Sequence, residues 1–182
     1  MTLSASTHTP AIVMPSALFA PTRGERVVIG IGEYAVTTSA DAEIVTHALG
    51  SCVAVCVWDP VTHVAGMLHF LLPESKLNAE RAARQPGTFA DTGIPLLIQE
   101  AIQRGLNKKR CRAHLFGGAA VGAQGGLDVG KRNALAARRL LWQHGIFIHA
   151  EALGGTEPRT VNFSIADGHY QVSCGRELVQ EL

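Results

Sequence analysis

The chain has 182 residues, 47% of them hydrophobic and 17% charged, with a formal net charge of +1. That apolar fraction supports a real core and excludes global disorder, a collagen helix and a coiled coil. The 16 Lys and Arg residues are matched by 15 acids, which leaves no basic surplus for nucleic acid. No apolar run reaches the ~18 residues of a membrane-spanning helix.

Residues 1–25 read as a flexible N-terminal tail. Pro10 and Pro15 interrupt the mildly apolar stretch from Ala11 to Ala20, and no Lys or Arg precedes Arg23, so the basic leader of a secretion signal is missing. Residues 26–182 are expected to form a single domain. From Val27 to Val36 the chain is apolar and β-branched, with Gly30 and Gly32 inside, and predicts a strand or bent strand. Ile44 to Leu49 predicts a second. In Cys52 to Trp58 both alternating faces are apolar, which predicts a strand buried on both sides. Asp59-Pro60 signals a turn, and Val64 to Leu72 returns as another strand.

A short helix is predicted over Ala79 to Arg84. Ile94, Leu97, Ile98, Ala101 and Ile102 recur at helical spacing, with Asp91 or Thr92 as cap, Pro95 in the first turn and Gly105 at the end. Ala113 to Phe116 predicts a strand, followed by a Gly-rich loop from Gly117 to Gly126. Leu135, Leu140 and Leu141 mark a second helix closed by Gly145. Ile146 to Leu153, Arg159 to Ile165 and His169 to Ser173 predict strands, the last two joined by an Asp167-Gly168 turn. The pattern is mixed α and β.

Two glycine motifs carry little. Gly30-Ile31-Gly32-Glu33-Tyr34-Ala35 fits GxGxxA, but the Val36-Thr37-Thr38 that follows favours strand over the helix a pyrophosphate needs. Gly125 to Lys131 resembles a P-loop, but Arg132 stands where a magnesium-binding hydroxyl belongs. The first is read as a bent strand with close backbone packing, the second as a structural Gly-rich turn.

Cys52, Cys56, Cys111 and Cys174 are too few for a disulfide scaffold, and none forms a CxxC pair. They read as reduced thiols of a cytoplasmic protein, so the Asn162-Phe163-Ser164 sequon is expected to stay bare. Cys52 stands out through His69. A hairpin turning near residue 60 or 61 pairs residues whose numbers sum to about 121, which puts Cys52 opposite His69 or its neighbour. An imidazole beside a thiol is the simplest way to activate sulfur. Gly50 lets the backbone bend where N–H groups could meet an oxyanion. Thr46 could orient the imidazole. A core role for Cys52 and a rival role for His47 remain open alternatives. Cys56 reads as core.

Several ordered segments resemble the CheD family of chemoreceptor glutamine deamidases. They are Ile29 to Tyr34, Leu49-Gly50-Ser51-Cys52-Val53-Ala54-Val55, Asp59-Pro60, Gly66 to Pro73, Ala90-Asp91-Thr92, Phe116-Gly117-Gly118-Ala119, Gly130-Lys131-Arg132-Asn133 and Leu153-Gly154-Gly155. One departure is Pro158 before Arg159, where the family tends to have Gly. The resemblance implies a mixed α+β fold, a central β-sandwich of mixed and antiparallel strands flanked by helices, similar to toxin-type cysteine deamidases. It implies Cys52, His69 and Thr46 as catalytic residues, no metal or organic cofactor, and hydrolysis of receptor glutamines to glutamate through a Cys52 thioester. The implied partners are the cytoplasmic helical domains of chemoreceptors and a CheC-type phosphatase, with neither nucleic acid nor membrane insertion. The alternative is a regulator that binds receptor or phosphatase without catalysis.

Overall fold

The computed structural model describes residues 18–19, 24–120, 128–175 and 177–182. The strands are β1 (Leu18–Phe19), β2 (Arg26–Ile29), β3 (Tyr34–Thr37), β4 (Glu43–Leu49), β5 (Val53–Trp58), β6 (Ala65–Phe70), β7 (Arg112–Gly117), β8 (Ile148–Leu153), β9 (Arg159–Ser164), β10 (His169–Cys174) and β11 (Glu177–Glu181). The helices are α1 (Ala79–Arg84), α2 (Ala90–Gln103) and α3 (Val129–Gln143). A larger sheet runs β1-β3-β6-β5-β7-β8 and a smaller one β11-β10-β9-β4-β2. Most neighbours are antiparallel, but β1–β3, β2–β4 and β7–β8 are parallel, so both sheets are mixed.

The larger sheet is covered on both faces. Val53, Val55 and Val57 of β5 and Leu68 and Phe70 of β6 pack with Ile94, Leu97 and Ile98 of α2 and with Ala137, Leu140 and Leu141 of α3. Ala54, Cys56 and Trp58 of β5 and Met67 of β6 face the other way, against Ile44, Val161, Phe163 and Tyr170 of the smaller sheet. The expected sandwich is therefore present, with the long helices on one side of the larger sheet. The doubly apolar β5 is buried along its whole length, as its sequence predicts.

Several local expectations change. The apolar run from Val27 to Val36 is two strands in different sheets, broken at Gly32, whose φ of +79° suits glycine. No helix follows these glycines. α2 starts at Ala90, so neither Asp91 nor Thr92 caps it and Pro95 lies past the first turn. Asp91 instead accepts hydrogen bonds from Ser75, and Thr92 Oγ1 donates to the Pro86 carbonyl. Both long helices end as predicted at Gly105 and Gly145. In each case the N–H of the residue after the glycine returns to the last turn, Leu106 to Ala101 and Ile146 to Leu141. Leu135 is exposed, as is much of Ile102; the buried stripe of α3 is Asn133, Ala134, Ala136, Ala137, Leu140 and Leu141. The edge strand β11 was not expected. Leu18–Phe19, inside the expected tail, pairs in parallel with Tyr34–Ala35. The rest of residues 1–23, and most of the Gly-rich loop with the start of the P-loop-like motif, lie outside the described residues.

The β5–β6 register also differs. Ala54, not Cys52, opposes His69, and Val53 opposes Phe70. Six residues, Asp59 to Val64, close the hairpin, because Trp58 pairs with Ala65 and the His63 N–H returns to the Asp59 carbonyl. The offset is two residues, so the face is unchanged: Cys52 stays on the His69 side of the sheet, as its diagonal neighbour.

Candidate active site

Five elements meet at the Cys52 end of the sandwich. β6 supplies His69, β4 supplies Thr46, the turn before β5 supplies Cys52, and β7 with α3 holds that turn in place. His69 donates its N–H to the Glu33 carbonyl and accepts at its own C=O from the Gly32 N–H, both on the segment that leads into β3. Its pair with Ala54 is therefore the close, non-hydrogen-bonded kind, and Ala54, with its single methyl, leaves room for an imidazole in the sandwich.

The imidazole is 2% exposed. His69 Nδ1 lies 2.8 Å from Thr46 Oγ1, and Thr46 Oγ1 lies 2.9 Å from the Ile29 carbonyl oxygen. A hydroxyl has one proton. If it donates to Ile29, which can only accept, it must accept from His69. The Nδ1 atom therefore carries the ring proton, and Nε2 is the lone-pair nitrogen. Nε2 is buried and has no partner among the described residues. Burial also holds the imidazole uncharged, with its pKa lowered to about 4.

Cys52 is 6% exposed and unpaired. Burial pushes its thiol above the ordinary range, with its own backbone N–H a weaker opposing influence. Both partners thus rest neutral at pH 7. The low-pKa thiolate that a Cys-His pair suggests is absent from this resting site.

The turn carrying Cys52 is tightly held. β4 bulges after Thr46, Ala48 has φ of 56°, and the Gly50 N–H returns to the Ala48 carbonyl. Bulges and left-handed non-glycine residues concentrate where a backbone must be aimed. The Gly118 N–H donates to the Cys52 carbonyl and the Ala119 N–H to the Gly50 carbonyl, each at 2.7 Å. Gly117 has φ of +98°, and a Cβ there would collide with the Cys52 carbonyl oxygen. Gly130 packs in the same way on Gly118, which explains its place in the P-loop-like motif without a phosphate. Arg159 donates to the Gly154 carbonyl at 2.7 Å, so Pro158 leaves that anchor intact.

His47 sits on the outer side of the bulge, exposed, 3.3 Å from Thr160 Oγ1, which removes it as a rival to His69. Cys56 is fully buried opposite His114, Cys111 is buried, and Cys174 is half-buried on β10. The sequence reading gave no role to Asn133. The structure buries it between the ends of β5 and β6, where it donates to the Ser51 and Leu71 carbonyls. Its only sequence signal was its place in Gly130-Lys131-Arg132-Asn133.

Among the described residues no group of three or more His, Cys, Asp or Glu could hold a metal ion. No described helix is long and apolar enough to cross a membrane.

The family profile described as CheD chemotactic sensory transduction matches residues 71–174. The chain belongs to the CheD family. A CheD relative from Anaeromyxobacter dehalogenans, named probable chemoreceptor glutamine deamidase CheD 2, is 45% identical over 84% of this chain and 96% of its own length. The relative from Solibacter usitatus, a probable chemoreceptor glutamine deamidase CheD, is 41% identical over 79% and 86% respectively. Thermotoga maritima chemoreceptor glutamine deamidase CheD is 41% identical over 78% of this chain and 87% of its own. Among solved structures, Bacillus licheniformis hypothetical protein YfiH matches at TM-score 0.45 and 16% identity, over 76% of this chain and 63% of that one.

Proposed function

We propose that this CheD protein hydrolyses glutamine side-chain amides of chemoreceptors to glutamate, with Cys52 as nucleophile, His69 as general base and acid, and Thr46 as the residue that orients His69. The carrying observation is the Thr46 hydroxyl, which commits its proton to Ile29 and so assigns the His69 proton to Nδ1. That leaves Nε2 as a proton acceptor on the face of the sheet that Cys52 shares.

The reaction follows from those positions. His69 Nε2 takes the thiol proton as Sγ attacks the substrate carboxamide carbon. Negative charge collects on the former carbonyl oxygen, where the Cys52 N–H and its neighbours in the held turn are donors of the right kind. The imidazolium, its Nδ1–H steadied by Thr46, returns the proton to the departing nitrogen, and ammonia leaves a thioester. Water then attacks with His69 as base, releasing glutamate and the thiol. Because both partners rest neutral, proton transfer and attack belong to one step. The chain supplies every group this needs.

The receptor is the substrate named for the relatives. A CheC-type phosphatase and a cytoplasmic setting complete the proposal as its regulatory context. The test is mass spectrometry of a chemoreceptor cytoplasmic fragment after incubation with wild type and with Cys52→Ala. A Gln→Glu change at defined sites, lost in Cys52→Ala, is expected. Receptor binding by a folded wild type with no mass change would replace this reading with that of a non-catalytic regulator.

A further inference from the structure

The β5–β6 ladder ends at Val53 and Phe70. Beyond that pair the two strands are drawn apart. The Leu71 and Leu72 N–H groups both bond the Thr88 carbonyl, at 2.9 and 3.1 Å, on the α2 side of β6. The Gly50 and Cys52 carbonyls bond Ala119 and Gly118 on the β7 side of β5. Cys52 sits on one lip of the opening and His69 lies just inside the other.

Asn133 reaches this opening from α3. Its Nδ2 donates to the Ser51 carbonyl at 2.9 Å and to the Leu71 carbonyl at 2.8 Å, one strand for each amide proton. The side chain is wholly buried, and its Oδ1 has no partner among the described residues. Two carbonyl acceptors fix which end of the carboxamide is nitrogen. A buried acceptor left unused is costly, so Asn133 is a poor choice for packing alone. α3 is itself well seated, since Gly130 lies directly on the Gly118 carbonyl and Asp128 caps the helix through the Lys131 N–H.

We propose that Asn133 is a positioning residue of the active site: it clamps the diverging ends of β5 and β6 and so sets the approach of Cys52 Sγ to His69 Nε2. This rests on the assignment of Cys52 and His69 above, and it adds a residue on a helix that neither bears on. Asn suits the place because its NH2 holds two diverging protons on a short arm. Leucine offers no donor at similar volume. Aspartate presents oxygens to two carbonyl oxygens and recovers a single donor only when protonated.

The test compares Asn133→Leu and Asn133→Asp with wild type in receptor-fragment deamidation between pH 5.5 and 8, resolved into kcat and KM. For Asn133→Leu, kcat is expected to fall at least tenfold with KM within about twofold, since the substrate surface is untouched. For Asn133→Asp, kcat relative to wild type is expected to rise as pH falls from 8 to 5.5, as protonation restores a donor. A folded Asn133→Leu with kcat within threefold of wild type overturns the proposal. So does an Asn133→Asp ratio that is flat with pH, and that measurement alone decides if the Leu variant does not fold. Wild-type turnover in the same assay shows separately whether deamidation itself occurs.

Discussion

Replacing Thr46 by valine keeps the shape of a side chain with no exposed surface and removes its hydroxyl. Two hydrogen bonds vanish, one to His69 Nδ1 at 2.8 Å and one to the Ile29 carbonyl at 2.9 Å. Each leaves a buried polar group without its partner, at a cost of about 1–3 kcal/mol. The Ile29 loss falls on stability. For a chain of this length it lowers Tm by roughly 2–4 °C per kcal/mol. The His69 loss acts on chemistry as well. Without an acceptor at Nδ1, the ring no longer favours the tautomer with its lone pair on Nε2, and Nε2 stops being a base. Forfeiting about 1.5–3 kcal/mol of that preference corresponds to roughly a 10–100-fold fall in kcat. Thr46→Ser retains the hydroxyl and is expected to stay within about threefold of wild type once its lost methyl is allowed for. The assay is deamidation of a receptor fragment, paired with ¹⁵N NMR of the His69 ring. Wild type should show a protonated Nδ1, and Thr46→Val a loss of that state. A Thr46→Val enzyme with wild-type kcat, or a wild-type ring protonated at Nε2, would refute the argument.

Other predictions concern pH and the supporting structure. His69 and His114 are both held near pKa about 4 by burial, His114 with smaller contributions from His149 and Arg112. Their folded values lie below the unfolded value near 6.5, so their contribution is complete above pH 6.5 and is lost as pH falls towards 4. Each contributes about 3 kcal/mol on that count; urea titrations should show the loss, and His114→Phe should shrink it. The same position of His69 predicts that kcat/KM persists to about pH 5, well below the limb an ordinary histidine would give; an acid limb near 6.5 would contradict it. Gly117→Ala forces a Cβ against the Cys52 carbonyl at positive φ, and is expected to cut kcat more than tenfold and to lower Tm, by deamidation assay and thermal melt. Asp59 is fully buried and accepts from Arg110 Nε at 2.7 Å and from the Asn107 N–H at 2.9 Å. Asp59→Ala should cost about 3 kcal/mol or more in urea unfolding, while the folded fraction keeps its turnover.

Much of the site was legible because it rests on a hairpin. The double apolar face of β5, the Asp59-Pro60 signal and the return strand place Cys52 and His69 on neighbouring strands without further information. The register error came from the loop. Asp59 uses its side chain on Asn107 and Arg110 of a distant segment, and this supports a six-residue connection that no local pattern announces. Because the error was an even number of residues, the face survived. The role of Thr46 was open to expectation but not its geometry, since the Ile29 carbonyl that fixes its proton belongs to β2, reached only through parallel pairing of β2 with β4. Asn133 and β11 were beyond reach for the same reason. A helix asparagine gains meaning from two carbonyls far along the chain, and the polar segment Glu177–Glu181 becomes a strand only because β10 offers it an open edge.

A resting thiol and neutral imidazole have a consequence for the proposed enzyme. A preformed thiolate would be the better nucleophile towards any electrophile, oxidants included. Here burial disfavours both charges, and Cys52 is 6% exposed. Charge separation then becomes favourable only when a carbonyl carbon accepts the sulfur and backbone donors receive the oxyanion. Reactivity is thereby tied to substrate. Alkylation of Cys52 by iodoacetamide at pH 7 should be at least tenfold slower than that of an exposed thiol with ordinary pKa, and His69→Ala should change it little, because His69 holds no resting thiolate. Rapid alkylation that collapses in His69→Ala would show a standing ion pair, and the concerted step would then be wrong.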